Sequence, residues 1–295
     1  MVNGLQTKWK VMKSLKILIA ILFTVLLLGY ARKTTMVRTV HKVVEQSGIV
    51  INHHTVPKQV GDEIPVISAR VTGTSLVSLI YKIGQEGKFI RVPMNHAPDE
   101  EKVFTASLPH FPKATKVWYY IEATKMSTDG EVGVTLPDNN DPDFKPILLK
   151  YEGVVPVYII IPHVLCNFAA IFFAALTLFS AIDVRRGKMS LKEAIKFPLI
   201  TFILLFLGFI PFGIAMNWFA FGITWEAFPF GRDVTDNKSQ IILLFWLVTL
   251  ILVKGNLLGK GEDENLVSKR GYFTMVVITL IVTIAMYAIP HSFII

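Results

Sequence analysis

The chain has 295 residues, 52% of them hydrophobic and 18% charged, with a formal net charge of +8, whereas ordinary soluble domains are about a quarter charged. The basic residues stand beside apolar runs, not in a patch interleaved with aromatics, which excludes a nucleic-acid surface and suits a chain oriented in a membrane. The single cysteine, Cys166, excludes an intrachain disulfide, a CxxCH haem attachment and a thiolate zinc cluster.

Lys8, Lys10, Lys13 and Lys16 precede Ile17–Leu28, which is apolar except for Thr24. A basic leader before such a run fits a signal-anchor helix or a cleaved signal peptide, and the expectation taken is the uncleaved signal-anchor transmembrane helix over residues 1–31. Residues 32–59 read as a linker. From 60 to 151 the pattern changes to short segments broken by Gly, Pro, Asp and Asn: Ile64–Val71, Leu76–Ile83, Lys88–Met94, Lys102–Leu108, Lys116–Thr124 and Glu131–Leu136. Turn signals at this spacing predict the strands of a β-sandwich. Trp118 and Tyr120 alternate on one strand and share a face, which is expected to be the core face. The acidic stretch Asp138–Asp143 reads as a solvated turn, because the spacing and terminal Glu of an EF-hand are missing.

The stretches ARVTG, LVSLIYKIG, GKFIRVPM, VFTASLP and KVWYYIEATKMSTDG resemble the immunoglobulin-like modules of the fibronectin type III and E-set kind. The resemblance implies a binding or spacing module, and such modules host many functions.

Four apolar runs follow: Pro156–Ile182, Phe197–Ala220, Ile241–Val253 extended at both ends, and Tyr272–Ile289. Each is near the ~20 residues that a bilayer requires, so residues 152–295 read as a four-helix transmembrane domain. The fold class expected is an α-helical integral membrane protein of about five transmembrane helices, with an inserted extracytoplasmic all-β immunoglobulin-like domain. The connection 184–196 carries Arg185, Arg186, Lys188, Lys192 and Lys196, and the connection 254–271 carries Lys254, Lys260, Lys269 and Arg270. The loop 221–240 has only Arg232 and Lys238. The positive-inside rule then predicts a cytoplasmic (inner) membrane protein with its N-terminus inside and its β domain and C-terminus outside.

The loop 221–240 also holds Trp225, Glu226, Asp233, Asp236 and Asn237, far more polar chemistry than a plain connection needs. Residue counting puts His163, Asn167 and His291 at the same depth as this loop. The candidate polar site at the outer membrane face is therefore His163, Asn167, Glu226, Arg232, Asp233, Asp236 and His291. Helix caps and interhelical hydrogen bonds account for these residue types; contact with a partner, an ion or the sandwich domain is the alternative. No protein metal site is expected, and no cofactor is favoured, although two histidines at one depth also fit a haem b held by His163 and His291 in a cytochrome b-like redox component. A small transporter or ion-handling protein using the loop acids is a further alternative. No nucleophile elbow, P-loop, HExxH or dinucleotide fingerprint is present. The leading expectation is a non-catalytic accessory or scaffold subunit of a larger membrane complex. Its partners would be the lipid bilayer and other membrane or extracytoplasmic proteins, met through the sandwich and the 221–240 loop.

Overall fold

The computed structural model of the chain describes residues 2–36, 38–98, 100–128 and 130–290, with side chains from residue 12 onward. The chain divides into two compact units, one of strands and one of helices.

The strand unit contains β1 (His41–Gln46), β2 (Ile49–His54), β3 (Lys58–Val60), β4 (Val66–Thr72), β5 (Leu76–Ile83), β6 (Ile90–Pro93), β7 (Asn95–Ala97), β8 (Glu100–Ser107), β9 (Lys116–Ser127), β10 (Gly130–Leu136) and β11 (Ile147–Glu152). One sheet has the order β1-β2-β4-β8-β7, the other β3-β11-β9-β5-β6, and β10 also pairs with β9. Ile49, Ile51, Ile67 and Val71 of the first sheet and Val117, Tyr119, Ile121 and Leu149 of the second form one core, each at most 2% exposed.

Two expectations change here. The linker expected over 32–59 is largely structured: the first helix runs to Thr35, and residues 41–54 fold as a hairpin. Ser47 and Gly48 both have positive φ, 54° and 73°, the requirement of the two-residue turn whose twist matches paired strands. The inward positions of β2 are Ile49, Ile51 and His53, and the buried histidine hides the apolar alternation. The core face of β9 is also the other one. Val117, Tyr119, Ile121 and Ala123 point inward, while Trp118 and Tyr120 are half-buried on the outer face. There Phe89 and Phe144 stand edge-on to Tyr120, with ring centroids 5.3 and 5.6 Å away.

His53 and Tyr119 bridge the two sheets. The carbonyl of Ser68 can only accept, so His53 Nδ1 donates to it over 2.7 Å, and Nε2 accepts from the Tyr119 hydroxyl at 2.9 Å. The hydroxyl in turn accepts from Val56 N at 3.2 Å. Burial holds the His53 imidazole below its ordinary pKa, with a smaller lowering from neighbouring His54 and Lys42 and a partial offset from the Ser68 bond. As pH falls, the unfolded chain therefore takes up this proton first. The contribution of the neutral ring is complete above about pH 6.5 and is lost on acidification, at up to about 1.4 kcal/mol per pH unit. Hydrogen-exchange protection of β9 amides, corrected for intrinsic rates, should fall between pH 7 and 5. A His53→Gln variant should lose that slope; an unchanged slope would place the titration elsewhere.

The helical unit contains α1 (Val2–Thr35), α2 (Val157–Arg185), α3 (Leu191–Ala194), α4 (Lys196–Leu207), a π-helical turn (Gly208–Gly213), α5 (Ile214–Phe221), α6 (Val234–Leu252), α7 (Lys254–Leu257) and α8 (Lys269–Ala288). Among the described residues, five stretches are long and apolar enough to cross a membrane: Met12–Thr35, Val157–Arg185, Leu191–Phe221, Val234–Leu252 and Lys269–Ala288. α2 packs on α4 and α8, and α6 packs on the same two, so these four close into a ring. α1 lies outside the ring against α2 and α8, and an ion pair joins its Lys16 to Asp183 near the end of α2. Pro211 causes the π-helical turn: it has no N–H for the usual bond four residues back, and the helix widens around it.

The helical unit has its apolar surface outside. Leu22, Leu26, Leu165, Leu244 and Ile281 are exposed, whereas Ala170, Ala174, Thr177, Thr201, Thr249 and Thr279 are fully buried. Small residues let helices approach, and hydroxyls bond back to their own carbonyls or across the interface. Thr249 and Thr279 meet at 2.8 Å, and Trp246 Nε1 donates to Thr283 Oγ1 at 3.1 Å.

Candidate functional site: a polar layer in the helical unit

The polar residues singled out in the sequence fall into two groups, both tied to the end of α8. The first is built on α2. His163 Nδ1 donates to the Gly208 carbonyl at 2.9 Å, so the histidine covers the π-helical turn. One turn on, Asn167 Nδ2 donates to the His163 carbonyl at 2.8 Å, and Asn167 Oδ1 accepts from the Tyr287 hydroxyl at 2.7 Å. His163 Nε2, the acceptor nitrogen of the ring, takes a long hydrogen bond from Asn167 Nδ2 at 3.5 Å. Gly208 allows this approach, because a Cβ there would stand 3.1 Å from Asn167 Nδ2.

The second group closes the loop before α6. Asp233 is the N-cap, its Oδ1 accepting from Thr235 N at 2.8 Å and Asp236 N at 2.9 Å. Asp236, 5% exposed, accepts from Glu226 N at 2.7 Å and from Asn217 Nδ2 at 3.2 Å, tying α5, the loop and α6 together. Asn237 Oδ1 accepts from Phe228 N at 3.0 Å. Gly231 lets the loop double back, since a Cβ there would stand 2.5 Å from the Glu226 carbonyl oxygen. Lys238 is buried and donates to the Ile289 carbonyl at 2.6 Å, just past the end of α8, where a cation suits the negative end of the helix dipole.

No protein-family model matches the chain, and no curated protein matches it.

Of the residues expected at the site, Asn167 and Asp236 are buried within these networks, Asp233 caps α6, and Glu226 contributes its backbone. Arg232 is exposed, and among the described residues no ion pair joins it to Glu226 or Asp233, or joins either acid to His163. His291 lies outside the described residues. No group of three or more His, Cys, Asp and Glu side chains is placed to hold a metal ion among the described residues. Sequence reasoning missed Asn217 and the bonding role of Tyr287. Asn217 was detectable as the one amide in the apolar run Phe209–Phe221; nothing in the sequence marked Tyr287 as more than an interfacial aromatic.

Proposed function

We propose that the chain is a non-catalytic integral membrane protein, an accessory or scaffold subunit. It would present an immunoglobulin-like β-sandwich outside the cytoplasmic membrane for contact with another membrane or extracytoplasmic protein. The observation that carries this reading is the saturation of the polar layer. Asn167, Asp233, Asp236 and Lys238 are each engaged by backbone or side-chain groups of the protein itself. Catalytic groups instead converge on a space where a substrate fits. The outward leucines and isoleucines support a bilayer as the surrounding solvent, since a water-soluble unit rarely exposes so much contiguous apolar surface. Purification of the full chain in mild detergent after in-cell crosslinking should bring down a stoichiometric second protein. A chain that crosslinks to nothing, or one with a haem absorbance band abolished by His163→Gln, would overturn the reading.

The orientation is tested separately. In a Cys166→Ala background, single cysteines at Ser75 and Arg232 should react with an impermeant thiol reagent in intact cells, and one at Lys188 should not. All three positions are exposed. Labelling at Lys188 alone would invert the topology.

A further inference from the structure

The β1–β2 hairpin carries a pair of histidines that the scaffold role does not use. The Ser47–Gly48 turn fixes the register, pairing Gln46 with Ile49 and, at the far end, His41 with His54. Hydrogen-bonded and non-hydrogen-bonded pairs alternate along an antiparallel ladder. Thr55 N donates to the Val40 carbonyl at 3.0 Å, so the 40/55 pair is the bonded one. His41 and His54 are then the non-bonded pair, whose Cα atoms stand only about 4.5 Å apart and whose side chains are closest. Val40 N also donates to Thr55 Oγ1 at 2.8 Å, latching this end of the hairpin.

The two rings follow from that placement. They lie face to face on the exposed side of the sheet, centroids 4.6 Å apart and planes 20° from parallel. One ring is already oriented: His41 Nε2 is 2.6 Å from Asn52 Oδ1, two residues before His54. An amide oxygen only accepts, so Nε2 carries the proton and Nδ1 keeps its lone pair free. A ring N–H held by a carbonyl oxygen is the usual outer partner of a metal-bound imidazole, fixing its tautomer and raising its basicity. Two imidazole nitrogens on one ion at ~2.0–2.1 Å stand roughly 3 Å apart with their lone pairs converging; the stacked rings direct theirs nearly parallel, so the two exposed side chains turn out of the stack about their χ angles to share an ion.

We propose that His41 and His54 form a two-histidine site for a divalent transition-metal ion, with Asn52 orienting His41. Imidazole ligation and the affinity order of the divalent metals make copper(II) the tightest occupant. Water fills the remaining coordination positions, because the pair lies on an open strand face. His53, between Asn52 and His54, points into the core and takes no part.

The test is titration of the full chain, untagged and in detergent, with copper(II) sulfate, followed by electron paramagnetic resonance and by zinc competition. The expected result is one tight equivalent per chain with hyperfine splitting from two nitrogens. His41→Gln and His54→Gln should each weaken this equivalent by about tenfold or more and leave at most one nitrogen in the signal. Asn52→Ala should weaken it roughly tenfold with both nitrogens retained, as loss of an outer partner does. His96→Gln, on β7 in the same sheet, should change nothing. Both histidines are exposed, so circular dichroism should show the fold intact in each variant. Absence of a stoichiometric two-nitrogen signal, or variants at 41 and 54 that behave like His96→Gln, would overturn the proposal.

Discussion

Tyr119→Ala is expected to destabilise the strand unit by ~3–5 kcal/mol, the range for deleting a fully buried aromatic side chain. The ring is 0% exposed at the centre of the core. Its loss leaves a cavity, and it also leaves Val56 N and His53 Nε2 without the hydroxyl that now serves both. Tyr119→Phe separates the two contributions: it keeps the ring and removes only the hydroxyl, at about 1–3 kcal/mol for buried groups left unmet. Trp118→Ala, one residue away on the outer face, should cost less than half as much as Tyr119→Ala. Hydrogen exchange on the full chain measures all three, because the most protected amides of β5 and β9 open only when the unit unfolds. A Trp118→Ala effect equal to that of Tyr119→Ala would reverse the assignment of the two faces.

Asp236→Ala should release the loop that precedes α6. The carboxylate is buried and accepts from Glu226 N and Asn217 Nδ2. Hydrogen bonds to a charged group contribute about 1.5–3 kcal/mol, and removing the acceptor also leaves the donors desolvated, so a local loss of ~3 kcal/mol is expected. The loop carries its own reporter. Arg232 is exposed, whereas Lys238 is buried, so trypsin should cut after Arg232 much faster in the variant, provided that the loop must open to fit the protease. Asp138→Asn should not change cutting at Arg232, because the Asp138 side chain accepts from Asn140 within a local turn of the strand unit. Equal cutting in wild type and Asp236→Ala would mean that the loop is held by something besides this carboxylate.

These two residues also show what the sequence discloses and what it withholds. The five long helices are legible because an apolar run of that length fits a bilayer and little else. On β9 the sequence Val-Trp-Tyr-Tyr-Ile is apolar or aromatic at every position, so alternation says that two faces exist without saying which is inside. That choice is made by β5 and β11, which pair on either side of β9 and turn Leu79, Tyr81 and Leu149 inward beside Tyr119. The hairpin at 41–54 was illegible for a related reason, since a histidine occupies a core position. In the polar layer, the capping role of Asp233 follows from its residue type and its place before an apolar run. The burial of Asp236 does not, because its partner Asn217 is 19 residues away on another helix.

The ion pair between Lys16 and Asp183 joins residues 167 positions apart, and that span has a meaning in time. Chains are made at ~5–20 residues per second, so α1 exists for roughly 10–30 s before the helix that it packs against has been synthesised. During that interval all of the strand unit emerges. Within a bilayer, α1 would have to be stable alone for that long, with no ring to shelter it. Its sequence suits this: Leu18, Leu22 and Leu26 remain exposed even in the finished fold, and the buried stripe of Ala20, Thr24, Leu27 and Ala31 is small or apolar. Thr24 bonds to the carbonyl of Ala20, within its own helix, so it needs no partner while α1 waits. The first helix is thus a guest that arrives before its hosts, and Lys16 meets Asp183 only when the end of α2 has been made.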